Sequence, residues 1–312
     1  MSTNEPQSTN AEAPFNDPKA DVILRSSDNV DFRTFKSMLR FASTVFDDMF
    51  GWPQPPAEND QFPVVAVSEP SRTVRNVLMF CHPKCSPELD NIFEINEVTA
   101  MGLKYDMEGV VGRARQSAKA LLLGFMEKEP IRAYAIACRY KLTREVRTAA
   151  KATLALPLSA RPSPAELELI SAADLQHVIT YHESCGKATV KLTSVHGPCG
   201  QRFVWERCNS CGYESYLDEQ YAKWWAEYAQ KVQKALQIRP CGNTVRNTQG
   251  LLDGVASATR GCRTCSQEAL ADIRKFNQSL ALAVEDAVSK VAVYLDRLRS
   301  VSNGPFVLTG RT

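Results

Sequence analysis

The first part of the chain alternates apolar and polar residues in short stretches that are typical of β-strands. The stretch DVILRS at 21–26 predicts a short apolar strand, and VDFRTF at 30–35 alternates as expected of its return strand. Asp28 and Asn29 lie between them and suit the backbone geometry of a tight hairpin. A third stretch, FPVVAVSE at 62–69, is mostly valine and predicts another strand. The predicted strands therefore all lie near the N-terminus.

Most of the remaining chain has the apolar spacing of helices. Ser43 is a good N-cap for a helix over 43–50, and the pattern is helical from about 106 to 158. Ser171 with Asp174 resembles a capping box at the start of another helix. Two later segments each keep one apolar face. The first predicts a helix with an aromatic stripe, formed by Leu217, Tyr221, Trp224, Tyr228 and Val232. The second predicts a long helix, with Leu280, Val284, Ala287, Val291, Tyr294 and Leu298 on its apolar face.

The domain organisation follows from composition and from proline-rich segments. Three prolines between 157 and 164 mark the clearest linker, and the first residues are too poor in hydrophobic side chains to predict order. The predicted segments are a disordered tail at 1–17, an α/β domain at 18–116, a helical extension at 117–160, a helical, cysteine-rich C-terminal domain at 161–301, and a tail at 302–312. The predicted fold class is α+β.

Composition and charge narrow the classes of protein. The 312-residue chain is 44% hydrophobic and 23% charged, as soluble globular proteins are, and its net charge of +2 does not indicate nucleic acid as a partner. The opening MSTNEPQSTNAEAP lacks the apolar core of a signal peptide, and no run reaches the about 18 apolar residues of a membrane-spanning helix. We therefore expect a cytoplasmic or nuclear protein with no membrane partner, whose ten cysteines are thiols or metal ligands.

Two CxxC pairs have the spacing of metal ligands: Cys208 with Cys211, and Cys262 with Cys265. Two intervening residues let a tight turn present both thiolates to one ion, and two such pairs make a closed tetrahedron. The sequence therefore predicts one structural Zn²⁺ on these four cysteines. Because four thiolates leave no position for water, we expect the metal to have no catalytic role.

Other interpretations of the cysteines remain open. Fifty residues, 212–261, separate the two pairs, so the chain must reverse to bring them together. A compact alternative ligand set uses His196 and Cys199 with the first pair, but it leaves the second pair unexplained. The thiols could also bind no metal, whereas a redox-active CxxC lacks a thioredoxin-like context here. Gly212 and Gly261 border the pairs and suit a turn with positive φ angles.

The segment ADVILRSSDNVDFRTFKSMLRFASTVFDDMF, at 20–50, resembles the opening of a BTB/POZ domain. The matching positions include an Asp-Val strand and a final Phe-x-x-Met-Phe, and they are Asp21, Val22, Phe32, Lys36, Leu39, Ser43, Phe46, Met49 and Phe50. The stretches FPVVAVSEPSRTVRNVLMFCHP and EINEVTAMGLKYDMEGVV fit the later part of that domain. Over most of its length, through AYAIACR, ISAADLQHVITYH and the paired cysteines, the chain is similar to BTB proteins of mushroom-forming fungi.

This resemblance implies that the domain at 18–116 is BTB/POZ-like and that a helical region follows it. It also implies a protein-interaction module, often a homodimer, without catalysis of its own. The chain departs from the family at Phe35, where a histidine is usual before the lysine. The hydrophobic-x-Glu motif by which some BTB adaptors bind a cullin is not evident in 51–62, which argues against a cullin partner.

The functional expectation is therefore an intracellular interaction protein that self-associates or scaffolds partners. It is not expected to be an enzyme, since the four histidines are scattered and there is no Walker loop or GxGxxG. The alternatives are a nucleic-acid-binding or transcriptional regulator that uses the cysteine-rich region, and a ubiquitin-ligase substrate adaptor. The expected partner contacts are Trp52, in the proline-rich loop, and Trp225. Trp224 is on the apolar stripe of its helix, and Trp225 lies about 100° around the helix from it, toward the surface.

Overall fold

The computed structural model describes residues 8–52, 62–157, 164–194, 203–216, 219–247 and 249–302. The chain divides into two compact units, which we call unit 1 (Met1–Phe125) and unit 2 (Met126–Thr312). Both units combine helices with a small sheet, and helices predominate. The predicted mixed class is therefore confirmed at this level.

Unit 1 contains a four-stranded sheet with the strand order β1-β3-β2-β4. Its strands are β1 (Thr9–Asn10), β2 (Val22–Arg25), β3 (Val30–Thr34) and β4 (Val64–Ala66). β2 and β3 form the predicted antiparallel hairpin, with Asn29 at φ 57° in the turn, and β4 pairs parallel to β2. Along β2, Val22 and Leu24 are fully buried, whereas Ile23 and Arg25 are half-buried. One face of the sheet therefore lies against the core, as the alternation predicted.

The N-terminal segment joins this sheet, so the expectation of a disordered tail at 1–17 is wrong for its described part. β1 pairs parallel with β3, and backbone hydrogen bonds of 2.9 Å join the segment to the hairpin. Phe15 is buried, with its ring edge-on to Phe32 at a centroid distance of 5.9 Å. The prediction failed because the segment is polar on average, and a single aromatic residue, Phe15, anchors it. Residues 1–7 lie outside the described residues.

Helices complete unit 1: α1 (Lys36–Ala42), α2 (Thr44–Gly51), α3 (Ser71–Cys81), α4 (Ile92–Lys104) and α5 (Glu108–Phe125). Ser43 caps α2 as predicted, because its hydroxyl accepts the Phe46 N–H at 3.1 Å. The same hydroxyl donates to the Tyr105 carbonyl at the end of α4. The helices and the sheet share an apolar core that includes Leu24, Leu39, Phe46, Val74, Leu78, Ile95 and Met101.

The expected domain boundary at 116/117 falls inside α5, which continues to Phe125 without a break. Its buried residues recur at helical spacing along its whole length, at Val110, Ala114, Ala118 and Leu122. The compact units divide at 125/126 instead, so the expected helical extension at 117–160 is shared between them. Most of the proline-rich linker, 158–163, lies outside the described residues.

Unit 2 begins with α6 (Pro130–Arg139), α7 (Thr143–Thr153), a 3₁₀ turn (Ala165–Leu169), α8 (Ala172–Val190) and a second 3₁₀ turn (Lys191–Ser194). Ser171 caps α8 as predicted, since its hydroxyl accepts the Asp174 N–H at 3.1 Å. The cysteine-rich part follows: α9 (Val204–Arg207), β5 (Tyr213–Tyr216), β6 (Glu219–Ala222), α10 (Lys223–Ile238), α11 (Gly242–Arg246), α12 (Gln249–Ala258) and α13 (Arg263–Ser302).

Helices α8, α10 and α13 enclose the core of unit 2. Gly186 on α8 lies so close to α10 that a Cβ there would come within 3.1 Å of the Gln237 carbonyl, which explains the glycine. The Tyr228 hydroxyl on α10 donates to the Asn277 side chain on α13 at 2.8 Å. The core is rich in aromatic rings, namely Phe203, Trp205, Trp224, Trp225, Tyr228 and Phe276.

Helix α13 is 40 residues long, and up to residue 292, the last whose side chain the structure describes, it has the apolar face that the sequence predicts. The buried residues on this face include Ile273, Phe276, Leu280, Val284 and Val288. Within the described parts of the chain, no helix combines the length and apolar character that crossing a bilayer requires.

A short antiparallel hairpin, β5–β6, replaces the start of the predicted aromatic helix. That helix was expected from Leu217, which lies outside the described residues, but α10 begins at Lys223 and Tyr221 belongs to β6. The chain leaves the first CxxC turn in an extended conformation and pairs back on itself. The Lys223 N–H donates to the Gly212 carbonyl at 3.0 Å and closes the hairpin.

Candidate metal centre

The sulfur atoms of Cys208, Cys211, Cys262 and Cys265 lie together in unit 2, all within 4.8 Å of one another. Between the two pairs, the Sγ atoms of Cys208 and Cys262 are 3.5 Å apart, and those of Cys211 and Cys265 are 3.6 Å apart. A tetrahedron with metal–sulfur bonds of about 2.3 Å has sulfur–sulfur edges of about 3.8 Å. The predicted cluster is therefore confirmed, and its dimensions fit one tetrahedral ion.

The first pair lies on the turn between α9 and β5. The Cys208 N–H donates to the Val204 carbonyl at 3.0 Å and ends the short helix. Gly212 then has a φ angle of +56°, as predicted. A Cβ at this position would have no atom within 4 Å, so the backbone conformation, not the space, favours glycine.

The second pair lies at the N-terminus of α13. Cys262 is in the N-cap position, because its carbonyl accepts the Ser266 N–H at 2.9 Å, and Cys265 is in the first turn. Unpaired N–H groups and the helix dipole both favour negative charge at this end of a helix. The helix N-terminus therefore favours thiolates at the second pair, whereas the burial of Cys265 acts in the opposite direction. Gly261, unlike Gly212, does not have a positive φ angle, so that expectation was wrong.

The long segment between the pairs folds so that its ends meet. After the β5–β6 hairpin, α10 leads away from the site, and α11 lies in the loop where the sequence predicted a reversal. Helix α12 then packs on both α10 and α13. Beyond it, the Cys262 N–H donates to the Thr259 carbonyl at 3.0 Å, which fixes the approach to α13. The two cysteine pairs are therefore adjacent in space, although a segment that contains three helices separates them in sequence.

Helix α9 is fastened to α13 beside the cluster. The Val204 N–H donates to the Asp272 carboxylate at 2.9 Å, and Arg207 forms an ion pair with Glu268. These contacts join the segment before the first cysteine pair to the helix that carries the second pair. They therefore help to hold the two pairs next to each other. Sequence reasoning missed both acids, although their spacing of four on one helix was visible.

Three thiols of the cluster differ in acidity. The backbone N–H of Cys265 lowers the pKa of Cys262 to about 7. Burial raises the pKa of Cys211 to about 11, and it also raises the pKa of Cys265. Thiolates this close repel one another, so all four can ionise together only if a cation offsets their charge. The donor set is therefore suited to a soft divalent metal ion.

The surroundings of the cluster are apolar and largely closed to water. Cys208, Cys262 and Cys265 are buried, and Cys211 is half-buried. The three buried cysteines belong to the same cluster as Trp205 and Trp225, whose rings stack at a centroid distance of 3.9 Å. Four thiolates in such a setting leave no open coordination position, which supports a structural role.

The other expected site residues have different outcomes. Trp52 is exposed as expected, at 73%, and follows the last residue of α2. Trp225 is only 3% exposed, so its expected role as a partner contact is wrong. It stacks on Trp205, a residue that sequence reasoning did not single out although it stands three positions before Cys208. The alternative ligands at 196 and 199 lie outside the described residues.

The remaining described cysteines do not join the cluster; they are Cys81, Cys85, Cys138, Cys185 and Cys241. Burial raises the pKa of Cys185 to about 12 and that of Cys81 to about 11, which keeps both as neutral thiols.

No protein-family model matches this chain, and no curated protein is significantly similar to it in sequence. The BTB/POZ resemblance therefore depends on the residues given above.

Proposed function

We propose that this chain is an intracellular protein-interaction module with two parts. A BTB/POZ-like unit 1 associates with itself or with partners, and a structural zinc ion stabilises unit 2. The single observation that carries the metal part of the proposal is the closed cluster of four sulfurs within 4.8 Å, which suits a structural metal. The interaction role is supported by apolar side chains exposed on unit 1.

Zinc is the proposed ion because of the donor set. All-sulfur tetrahedral sites are typical of zinc and of iron–sulfur centres. Sulfur atoms 3.5 and 3.6 Å apart suit ligands of one ion better than ligands of different irons in a cluster. Bound there, the ion would join the turn after α9 to the N-terminus of α13. The surrounding tryptophans limit the access of water to the three buried cysteines.

Elemental analysis of the purified full-length chain tests the metal. We expect about one zinc per chain, and we expect Cys208→Ser and Cys262→Ser each to lose it. Cys241→Ser is the matched control, since this half-buried thiol lies outside the cluster. A parent protein without stoichiometric metal would exclude the site, and iron in place of zinc would correct the ion.

The BTB/POZ-like interpretation of unit 1 is supported by its element order, in which the β2–β3 hairpin precedes two short helices, a parallel strand and further helices. Of the residues that carry the resemblance, Val22, Leu39 and Phe46 are buried in the core. The Asp21 carboxylate accepts the Lys36 N–H at 2.6 Å, at the start of α1. These motif residues therefore have structural roles in the first half of the unit.

The segment of α1 and α2 exposes several apolar side chains. Phe41 is 97% exposed and Trp52 is 73% exposed, and Val45 between them is also exposed. Single exposed hydrophobic residues are ordinary, but three so close in sequence are typical of a binding surface. Burying a phenylalanine side chain contributes about 1.5–3 kcal/mol. These residues therefore support self-association through α1 and α2.

Sedimentation equilibrium of the full-length chain over a concentration series tests self-association. We expect the parent to dimerise and Phe41→Glu to shift it toward monomer by at least tenfold in Kd, about 1.4 kcal/mol. Leu282→Glu is the control, because Leu282 is an exposed apolar residue of α13 in unit 2. A parent that stays monomeric would exclude self-association, and equal effects of both variants would exclude this surface.

Affinity purification with the parent and Phe41→Glu tests partner binding. Partners lost only from the variant would support binding through α1 and α2. A cullin among the retained proteins would favour the adaptor alternative, and salt-dependent retention on random DNA would favour the nucleic-acid alternative.

A further inference from the structure

We propose that the four-cysteine cluster is also a redox-responsive site, in which a peroxide exchanges the metal ion for two disulfides, Cys208–Cys262 and Cys211–Cys265. The release of the ion depends on the metal site proposed above, whereas the pairing of the sulfurs depends only on their positions. These bridges differ from that of a redox-active CxxC, which forms within one pair. They join the same two segments that the ion would join.

Sulfur–sulfur contacts connect each cysteine of the first pair with one cysteine of the second. The Sγ atoms of Cys208 and Cys262 are 3.5 Å apart, and those of Cys211 and Cys265 are 3.6 Å apart. The two contacts share no atom, so both can close at once. A disulfide bond is about 2.05 Å long, so the sulfurs of each contact need to approach by about 1.5 Å. The cluster is therefore arranged for two bridges between the pairs.

Contacts outside the cluster hold the two pairs next to each other. The Val204 N–H donates to the Asp272 carboxylate at 2.9 Å, and Arg207 forms an ion pair with Glu268. Neither contact involves a sulfur atom, so oxidation of the sulfurs does not remove it. Helices α9 and α13 therefore keep each cysteine beside its partner in the other pair while the bridges form.

Cys211 offers a peroxide access to a cluster that is otherwise closed. It is half-buried, whereas Cys208, Cys262 and Cys265 are buried. Since accessible sulfur is oxidised more readily than buried sulfur, the first product is a sulfenic acid on Cys211. The Cys265 sulfur, 3.6 Å away, then displaces the hydroxyl group and forms the first disulfide. The first bridge is therefore expected between Cys211 and Cys265.

The complete exchange balances in electrons and in charge. Each molecule of hydrogen peroxide accepts two electrons, so two molecules oxidise four metal-bound thiolates to two disulfides and leave as four hydroxide ions. Zn²⁺ keeps its oxidation state and is released, because the thiolate is the form of cysteine that binds a metal and a disulfide carries no such charge. Thiol reductants reverse the step by thiol–disulfide exchange.

The two bridges keep the ends of the long intervening segment together. The contact between Cys208 and Cys262 spans 54 positions, and a disulfide across a long loop restricts the unfolded chain. We therefore expect the oxidised chain to keep the fold around the cluster without a metal ion. The site then releases its ion in response to peroxide without unfolding unit 2.

Disulfide mapping of the full-length chain after treatment with hydrogen peroxide tests the pairing. Trypsin leaves the first pair together on the peptide 208–223, and it separates the second pair onto 261–263 and 264–274, because Arg263 lies between those two cysteines. After alkylation of the remaining thiols, we expect a species that joins all three peptides. Bridges within the pairs would leave 208–223 alone and would join the other two peptides, which would overturn the inference.

Limiting peroxide identifies the first bridge. We expect 208–223 joined to 264–274 alone, with fragment ions that place the alkyl group of 208–223 on Cys208. A first bridge to 261–263 would overturn the entry through Cys211. The internal control is Cys241, which is also half-buried but lies outside the cluster, where its Sγ atom contacts the Thr244 hydroxyl at 3.3 Å. Cys241 should form no bridge, and Cys241→Ser should give the same peptide map.

Zinc release and hydrogen exchange measure the consequence. A chromophoric chelator should detect one released Zn²⁺ for every two molecules of peroxide consumed. Hydrogen-exchange protection around α9 and the start of α13 should persist in the oxidised chain, whereas the reduced chain stripped of metal should lose it. A zinc-loaded chain that keeps its metal and its thiols in excess peroxide overturns this inference and leaves the metal site intact. A parent without metal removes the metal site and the release step, and its peptide map still supports or overturns the two bridges.

Discussion

In unit 1, distant segments meet in a sheet, whereas in unit 2 they meet at four sulfurs. The sheet of unit 1 brings together β1, β2, β3 and β4, which lie between Thr9 and Ala66. The sheet of unit 2 is a local hairpin, and its long-range connection joins Cys208 to Cys262 across 54 positions. Beside their apolar cores, unit 1 joins distant segments by the backbone hydrogen bonds of its sheet, and unit 2 brings distant cysteine side chains together.

This difference predicts different sensitivities. A sheet with an apolar core needs no metal ion, because the burial of its side chains stabilises it. Four thiolates this close can ionise together only with a cation, so the proposed site in unit 2 depends on its metal ion. Metal removal should therefore lower the stability of unit 2 and leave that of unit 1 unchanged.

The largest expected effect is that of metal removal by a strong chelator or by Cys208→Ser. Structural zinc contributes about 10–16 kcal/mol in small zinc domains, which is comparable to the whole stability of a typical domain. We expect unit 2 to lose hydrogen-exchange protection around α9, α10 and the start of α13, while α3 and α4 keep theirs. Peptide-level hydrogen exchange on the full-length chain measures both units at once. Equal loss in both units, or in neither, would contradict the comparison.

A second prediction concerns the aromatic core beside the cluster. Trp205→Ala should destabilise unit 2 by about 3–5 kcal/mol even with zinc in excess, because Trp205 stacks on Trp225 and is 2% exposed. It should also weaken zinc binding, since metal affinity and folding are linked. The matched change in unit 1 is Leu78→Ala, with a cost of about 2–5 kcal/mol and unchanged zinc affinity. Urea unfolding and chelator competition measure the two quantities. A loss of zinc affinity in Leu78→Ala would show that the units are coupled.

A third prediction compares two helix caps. Ser43 is buried and both accepts from the Phe46 N–H and donates to the Tyr105 carbonyl, whereas Ser171 caps α8 at an exposed position. Ser43→Ala should cost about 2–3 kcal/mol, because it leaves a buried carbonyl without its donor, and Ser171→Ala about 0.5–1 kcal/mol. Urea denaturation of the zinc-loaded chain measures both. A larger effect at Ser171 would contradict the buried double role of Ser43.

The sequence predicted features that depend on local pattern. The hairpin turn at Asn29, the caps at Ser43 and Ser171 and the two CxxC turns were all visible, because each is fixed by residues within a few positions. The grouping of the two cysteine pairs followed from the chemistry of one ion, not from the length of chain between them.

The features that the sequence did not predict depend on contacts between distant segments. β1 joins the sheet only because β3 offers it an edge, and Phe15 is buried only against Phe32. Trp225 lies off the apolar stripe of α10, but Trp205 on α9 covers it. Apolar periodicity identifies only one buried face of a helix. Where a second segment covers another face, the residues on that face are wrongly predicted to be exposed.

The smallest effect separates the units by their response to acid. Asp28, in the turn between β2 and β3, accepts the N–H and the hydroxyl of Ser71 at 2.8 and 2.6 Å, and so caps α3 from the hairpin. The side chain of Ser26, and then that of Ser71, lowers the pKa of Asp28 from its usual 3.8 to about 2. Because the folded pKa is below the usual value, the ionised carboxylate stabilises unit 1 fully above pH 4 or so, and this stabilisation is lost as the pH falls through about 2. Asp28 is exposed, so the loss should be small.

Unit 2 should respond to acid earlier, since protons would compete with the proposed metal ion for the four sulfurs. Urea midpoints of the parent and of Asp28→Asn between neutral pH and pH 2 measure both steps. The variant should be slightly less stable than the parent at neutral pH and should converge with it near pH 2, with its metal release unchanged. Parallel profiles that never converge would remove Asp28 as the source of the acid step. A change in the pH of metal release would show that the α3 cap and the cysteine cluster are coupled. The two units would then not respond to acid independently, contrary to the comparison.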